Sequence, residues 1–92
     1  MLTAFMLITC ERAHLAEVGP RLAAIEGVTE VYTTTGAMDY IAVARVRDME
    51  ALSELVTERL RGIEGITRTD THLALREYSQ ADLDAGFQIG VD

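Results

Sequence analysis

The pattern of apolar and polar positions predicts a strand, a helix and a second strand in the first half of the chain. Residues Leu2–Thr9 are nearly all apolar, as in a strand that is covered on both faces. Apolar residues then recur at the spacing of a helix, at Leu15, Val18, Leu22 and Ile25. Residues Val28–Thr35 are rich in β-branched side chains, which favour a strand.

The same order returns in the second half. Residues Tyr40–Val46 predict a third strand, and Asp48 is a suitable N-cap for the helix that follows it. An apolar stripe marks this helix, formed by Leu52, Leu55, Val56, Leu60 and Ile63. Residues Ile66–Tyr78 predict a long last strand, so the complete order of elements is βαββαβ.

Two short stretches of the chain match each other. "LAAIEGVTE" at Leu22–Glu30 and "LRGIEGITR" at Leu60–Arg68 share Leu, Ile-Glu-Gly and Thr at an offset of 38 residues. Gly27 and Gly65 occupy the same place in each stretch, where a left-handed residue commonly ends a helix. The match indicates that the chain consists of two similar halves.

The Gly19-Pro20 pair interrupts the first helical pattern. Proline inside a helix loses a backbone hydrogen bond and clashes with the preceding turn. The helix therefore either kinks at this pair or begins at Pro20. The helical phase that Leu15 and Val18 share with Leu22 favours a kink.

The order of elements predicts an α+β fold of the ferredoxin-like kind. Two βαβ halves with right-handed crossovers give a four-stranded antiparallel sheet with two helices on one face. In Tyr40–Val46 both sides of the strand carry mostly apolar side chains. The sheet face without helices therefore needs a cover, and a second copy of the chain is the simplest one, as in a dimeric α/β barrel.

Composition and charge limit the classes of function that the chain can have. The 92 residues suit one domain, residues 1–78, and carry a formal net charge of −7. The chain has no lysine and eight scattered arginines, which argues against direct nucleic-acid binding and excludes Schiff-base chemistry. Cys10 is the only cysteine, so an intrachain disulfide and a Cys-based zinc cluster are excluded. The apolar opening is too short to span a membrane and lacks the basic start of a signal peptide, so we expect a cytoplasmic protein.

The join between the halves, "TTTGAMDY" at residues 33–40, is the main candidate for a site. Gly36 permits the positive φ that a tight connection needs. Asp39 either accepts hydrogen bonds from the backbone of the turn or offers its carboxylate to a ligand. Thr69 and Thr71 share one side of the last strand, where threonine is also a common strand former.

Longer stretches on both sides of this join carry a family resemblance. One strand ends in Thr-Gly, and after two more residues the chain continues with Asp-Tyr and "IAVARVRDMEAL". The stretch "GITRTDTHLALRE" follows later in the chain. In this order the stretches resemble the ligand-binding domain of the Lrp/AsnC regulators, from about Leu2 to Tyr78. The resemblance implies dimers that pair sheet to sheet, rings of dimers, and amino-acid effectors bound at contacts between dimers. The resemblance also implies that the effector site lies at Gly36, Ala37, Met38 and Asp39, with Thr69 and Thr71 as neighbours.

The resemblance implies a non-enzymatic module that binds an amino acid and assembles with other copies. Regulators of this family carry an N-terminal helix-turn-helix domain, whereas this chain begins directly at the first strand. We therefore expect a stand-alone module without its own DNA-binding domain. Such a module modulates transcription only by mixed assembly with a full-length relative.

Two other functions stay open. The fold also suits a small dimeric α/β-barrel enzyme of the monooxygenase or isomerase type, and it suits a purely structural oligomerisation partner. No catalytic residue, cofactor or metal site is predicted, because His14 and His72 are far apart in the chain and neither has an obvious carboxylate to orient it. Residues 79–92 form a tail that we expect to be disordered or docked on a neighbouring subunit.

Overall fold

A computed structural model of the chain describes residues 1–80 and has the predicted order of elements. The strands are β1 (Leu2–Cys10), β2 (Val28–Thr33), β3 (Tyr40–Val46) and β4 (Ile66–Leu73). The helices are α1 (Leu15–Ala23) and α2 (Met49–Glu54). Residues 81–92, which contain most of the predicted tail, lie outside the described residues.

The four strands form one antiparallel sheet in the order β2-β3-β1-β4. The two central strands turn one set of side chains to the helices, and five of these are completely buried: Ala4, Met6, Ile8, Ala42 and Ala44. They pack in one cluster with Val18 and Leu22 of α1 and with Leu52 of α2. The α+β ferredoxin-like fold, with both helices on one face of the sheet, is thus confirmed.

The left-handed glycines and the N-cap of α2 are predicted correctly, but Gly27 lies four residues after the end of α1 and Gly65 lies six residues after the end of the π-helical turn at Leu55–Arg59. Gly27 and Gly65 follow the two helical regions with φ of +97° and +99°, the left-handed conformation expected from the repeat. The Asp48 side chain accepts a 2.8 Å hydrogen bond from the backbone N–H of Ala51 at the start of α2, as an N-cap should.

Helix α1 contains Pro20 rather than beginning there. A short 3₁₀ turn at Arg12–His14 leads into the helix, which starts at Leu15. Gly19 is buried against the ring of Tyr40, and a Cβ atom at this position would lie 2.9 Å from the Cε1 atom of that ring. The tyrosine hydroxyl in turn donates a hydrogen bond to the carbonyl oxygen of Leu15. Of the two alternatives, a helix beginning at Pro20 is therefore wrong.

Helix α2 is shorter than the apolar stripe predicted. After Glu54 the chain widens into a π-helical turn at Leu55–Arg59, where the N–H of Leu60 donates to the carbonyl oxygen of Leu55 at 3.0 Å. The residues of the stripe still pack in the core, where Leu55 and Leu60 are almost fully buried.

Two strands end earlier than predicted. Strand β2 stops at Thr33 rather than Thr35, and β4 stops at Leu73 rather than Tyr78. In β4 the reason is the length of the neighbouring strand, since β1 begins at Leu2. The N–H of Ala74 still donates to the carbonyl oxygen of Thr3 at 2.8 Å, but beyond it β1 has few backbone groups left to pair.

The face of the sheet that carries no helix presents an apolar strip. Phe5 pairs with Val43 and Leu7 pairs with Ile41 across β1 and β3, and Tyr32 of β2 lies opposite Ile41. We call these five residues the open-face strip. Phe5 and Tyr32 are 41% and 52% exposed, Leu7 and Ile41 are half-buried and Val43 is only 5% exposed, so in the single chain the strip is open to solvent mainly at Phe5 and Tyr32.

Candidate ligand site at the end of the first strand

The loop between β2 and β3 turns on Gly36, whose φ is +103°. The loop closes on itself, because the N–H of Thr34 donates to the carbonyl oxygen of Asp39 at 3.2 Å. The Thr34 hydroxyl lies 3.4 Å from the carbonyl oxygen of Met38. Gly36 and Ala37 are exposed, whereas Met38 and Asp39 are half-buried. The apex of the loop is therefore accessible, and its end is fixed.

Asp39 fastens this loop to the end of β1. Its Oδ2 accepts a 2.8 Å hydrogen bond from the backbone N–H of Cys10, and its own N–H donates to the carbonyl oxygen of Ile8 at 2.9 Å. The carboxylate thus braces the neighbouring strand rather than the turn itself. Among the described residues Oδ1 accepts no N–H group, so one carboxylate oxygen has no main-chain donor.

The Cys10 thiol responds to the same carboxylate. Partial burial, then the negative charge of Asp39 and a hydrogen bond to its carboxylate, raise the pKa of the thiol above its ordinary value. A raised pKa keeps sulfur protonated and weakly nucleophilic at neutral pH. Cys10 accordingly acts as a small residue that packs against the core.

Thr69 and Thr71 lie across β1 from the loop. In the pairing of β1 with β4, Thr69 stands opposite Ile8 and Thr71 stands opposite Met6. Both threonines therefore face the helix side of the sheet, since Ile8 and Met6 are buried there. Asp39 is bound to β1 on its other edge, so two strand spacings, about 10 Å, separate its backbone from that of Thr69. Thr71 lies farther along β4 and is exposed.

Thr69 lines an open cleft of about 280 Å³ between the region after α2 and the start of β4. The walls include the apolar side chains of Val56, Leu60 and Ile66 and the charged side chains of Arg61 and Arg68. Sequence reasoning missed both arginines as neighbours of Thr69. Their position beside a cleft depends on how the π-helical turn packs, which the spacing of residues does not indicate.

The described residues contain no group of three or more His, Cys, Asp or Glu side chains that could hold a metal ion. In the same part of the chain, every helix is too short or too polar to cross a membrane.

The fold and the braced loop define an α+β ferredoxin-like domain with an accessible loop at one end of the sheet and an exposed apolar face. Residues 3–83 match the family model of the Lrp/AsnC ligand binding domain. The chain belongs to this family, and the predicted resemblance is confirmed.

Individual relatives give the same result. FL11, an HTH-type transcriptional regulator of Pyrococcus abyssi, is 31% identical over 77 residues, which cover 84% of this chain and 50% of FL11. TTHA0845 from Thermus thermophilus has a TM-score of 0.82 at 39% identity, covering 87% of this chain and 100% of its own. A feast or famine regulatory protein of M. tuberculosis, Rv3291c, complexed with L-methionine, has a TM-score of 0.73 at 30% identity, covering 87% of this chain and 54% of its own. The chain spans about half the length of the curated relatives it matches.

Proposed function

We propose that this chain is a non-enzymatic module that binds an amino acid at the Gly36–Asp39 loop and assembles into dimers and rings of dimers. The module modulates transcription by mixed assembly with a full-length relative. Support comes from the family match over residues 3–83 and from the relatives, which are transcriptional regulators. Bound L-methionine in one similar structure favours an amino acid as the ligand.

The observation that carries the ligand proposal is the carboxylate of Asp39, of which one oxygen accepts a main-chain N–H group. Oδ2 is fixed by the N–H of Cys10, so the carboxylate is held in one orientation before any ligand arrives. Within residues 1–80, Oδ1 has no main-chain donor, so it can accept a hydrogen bond from the ammonium group of an amino acid, and charge makes such a bond strong. Gly36 and Ala37 are exposed, so their backbone N–H groups suit the ligand's carboxylate.

The distance between Asp39 and Thr69 supports a site that is completed by a second subunit. The ammonium and carboxylate groups of an α-amino acid are only about 3 Å apart, because two covalent bonds join them. The backbones of Asp39 and Thr69 in one chain are roughly 10 Å apart with β1 between them, which is wider than the ligand's own backbone. We therefore place Thr69 and Thr71 at the contact with another copy, where they meet a ligand held by that copy's loop.

The open-face strip supports the dimer. Phe5 of β1 and Tyr32 of β2 are exposed on this strip, and Leu7 and Ile41 between them are half-buried. Contiguous exposed apolar surface is typical of protein contacts, and a self-complementary patch closes into a two-fold dimer.

A thermal-shift screen against the twenty amino acids tests the ligand proposal, with Asp39→Asn as the decisive variant. The amide oxygen of asparagine still accepts the N–H of Cys10, so the brace stays, while the negative charge that attracts the ammonium group is lost. We expect at least one amino acid to raise the melting temperature of the wild-type protein. The shift should shrink strongly in Asp39→Asn.

Thr71→Val serves as the second variant, because it removes a hydroxyl from β4 with little change in volume. If the screen gives no shift at millimolar concentration, or if Asp39→Asn keeps the full shift, the loop is not an amino-acid site. Light scattering on the same samples reports the assembly, and a persistent monomer contradicts a site shared between copies.

A further inference from the structure

The chain emerges from β4 against the face of the sheet that carries no helix. Thr3, Phe5 and Arg45 point to this face, because they alternate along β1 and β3 with side chains that are buried under the helices. Residues 74–77 follow β4 and line an open cleft of about 290 Å³ together with these three side chains. We call this space the exit cleft. The chain that follows residue 77 therefore starts beside the open-face strip.

The exit cleft exposes large apolar side chains. Met1 and Leu75 are 92% and 93% exposed, and Phe5 between them in the lining is 41% exposed. Tyr78, the residue after the last one that lines the cleft, is 70% exposed. Exposed apolar side chains that gather in one place indicate a surface that another segment or molecule covers.

The same cleft contains a guanidinium group that has no carboxylate partner in the described part of the chain. The Nη1 atom of Arg76 lies 3.4 Å from the hydroxyl of Tyr78, and none of the ion pairs within residues 1–80 includes Arg76. Arg45, by contrast, is paired with Glu30 at 2.7 Å. Arg76 is therefore the group in the cleft that suits an incoming carboxylate, whose geometry matches the guanidinium plane.

The tail of the chain, "ADLDAGFQIGVD" at residues 81–92, complements the exit cleft in both respects. It contains three aspartates and no basic residue, so its charge is opposite to that of Arg76. Its larger apolar side chains are Leu83, Phe87, Ile89 and Val91. Residues 84–92 lie beyond the part of the chain that matches the family model, so this combination is not a feature of the shared domain.

The distance along the chain favours the tail of the same molecule as the occupant. Glu77 lines the cleft, and only residues 78–80 separate it from the tail. A linker this short gives the tail an effective concentration of about a millimolar or more at its own cleft. When extended, residues 81–92 reach up to about 40 Å, which is more than enough to return to Phe5 and Leu75.

We propose that residues 81–92 dock on the exit cleft of their own chain. Leu83 and Phe87 cover Phe5 and Leu75, and an aspartate of the tail pairs with Arg76. Because Phe5 also belongs to the open-face strip, the docked tail competes with a second copy of the chain for this side chain. The docking itself depends neither on the amino-acid site nor on the dimer proposed above.

Fluorescence of the full chain with Phe87→Trp tests the docking, since the sequence contains no other tryptophan. An indole ring on an apolar surface emits at a shorter wavelength than an indole ring in water. We expect the folded protein to emit at a shorter wavelength than the same protein in concentrated urea. This shift should be equal at high and low protein concentration, because the tail docks within one chain.

Substitutions of exposed residues locate the docked tail. In the Phe87→Trp chain, Leu75→Asp should move the emission to longer wavelength, because it removes an apolar contact and repels the aspartates of the tail. Arg76→Gln should give an intermediate emission, since it removes only the ion pair. Met49→Asp is the matched control, because Met49 is also exposed but lies at the start of α2, outside the cleft. Circular dichroism checks that each variant is folded.

Light scattering tests the competition separately. Phe87→Asp weakens the docking of the tail, so at equal concentration it should form a larger share of dimer than the wild-type protein. An equal or smaller share contradicts the competition but leaves the fluorescence result as the test of docking. The docking is overturned if the emission of the folded Phe87→Trp chain matches that in urea, or if Leu75→Asp leaves it unchanged. It is also overturned if the shift disappears on dilution together with the dimer, because the tail then docks on the partner.

Discussion

At the scale of single residues, the contact between Asp39 and Cys10 links the candidate ligand loop to a chemically measurable group. The nearby carboxylate contributes to the raised pKa of the Cys10 thiol, after burial. Asp39→Asn removes that charge, so we expect a lower pKa and severalfold faster labelling by a thiol reagent near pH 8. Rates measured in denaturant provide the control, because the two unfolded chains should react alike. Equal rates in the folded proteins would show that the carboxylate does not act on the thiol.

Gly65 combines a positive φ with a lack of space for a side chain. Its φ is +99°, and an added Cβ would overlap the Cβ of His14. Gly65→Ala should therefore lower the free energy of unfolding by roughly 2–4 kcal/mol, from backbone strain and from overpacking. Denaturant titration measures this loss.

Gly36→Ala is the matched control for Gly65→Ala. Its φ of +103° is similar, but an added Cβ would have no heavy atom within 4 Å. Only the backbone strain remains, so we expect a loss of about 1 kcal/mol. If the two variants lose the same stability, the crowding against His14 does not matter.

At the scale of the elements, the pairing of β2 with β3 includes a charged contact that depends on pH. Hydrogen bonds from Tyr32 and Arg45 lower the pKa of Glu30 below its ordinary value. A lowered carboxyl pKa favours folding above the unfolded pKa, and this contribution is lost as the pH falls through the folded pKa. Between about pH 5 and pH 3 the wild-type protein should thus lose more stability than Glu30→Gln. Urea unfolding at a series of pH values checks this, with Glu58→Gln as an exposed control on the other layer.

Local rules account for the elements that the sequence predicts well. The two positive-φ glycines, Gly27 and Gly65, and the N-cap at Asp48 follow from residue types at fixed positions within a few residues. The π-helical turn after Glu54 does not, because the apolar stripe is compatible with either helix type. The contact of Asp39 with Cys10 spans 29 residues, so it depends on strand register rather than on a local pattern.

At the scale of the whole molecule, we expect the open-face strip to control assembly. Phe5→Glu places a charge on this strip and should convert the proposed dimer into monomers with little change in fold, because Phe5 is 41% exposed in the single chain. Size-exclusion chromatography with light scattering measures the mass, and circular dichroism checks the fold. Met49→Glu is the control, since Met49 is 56% exposed but lies at the start of α2. If Phe5→Glu keeps the wild-type mass, the copies associate through another surface.

The order of the strands has a consequence for solubility. With β1 and β3 in the centre, β2 and β4 are the outer strands, and their backbone groups are available to an incoming strand. Charged side chains occupy both of them: Glu30 on β2, and Arg68 and Asp70 on β4, which form a 3.3 Å ion pair. Charges on outer strands disfavour the endless edge-to-edge addition that leads to aggregates. The outer strands therefore work against fibres even though the sheet exposes apolar side chains such as Phe5 and Tyr32 on its open face.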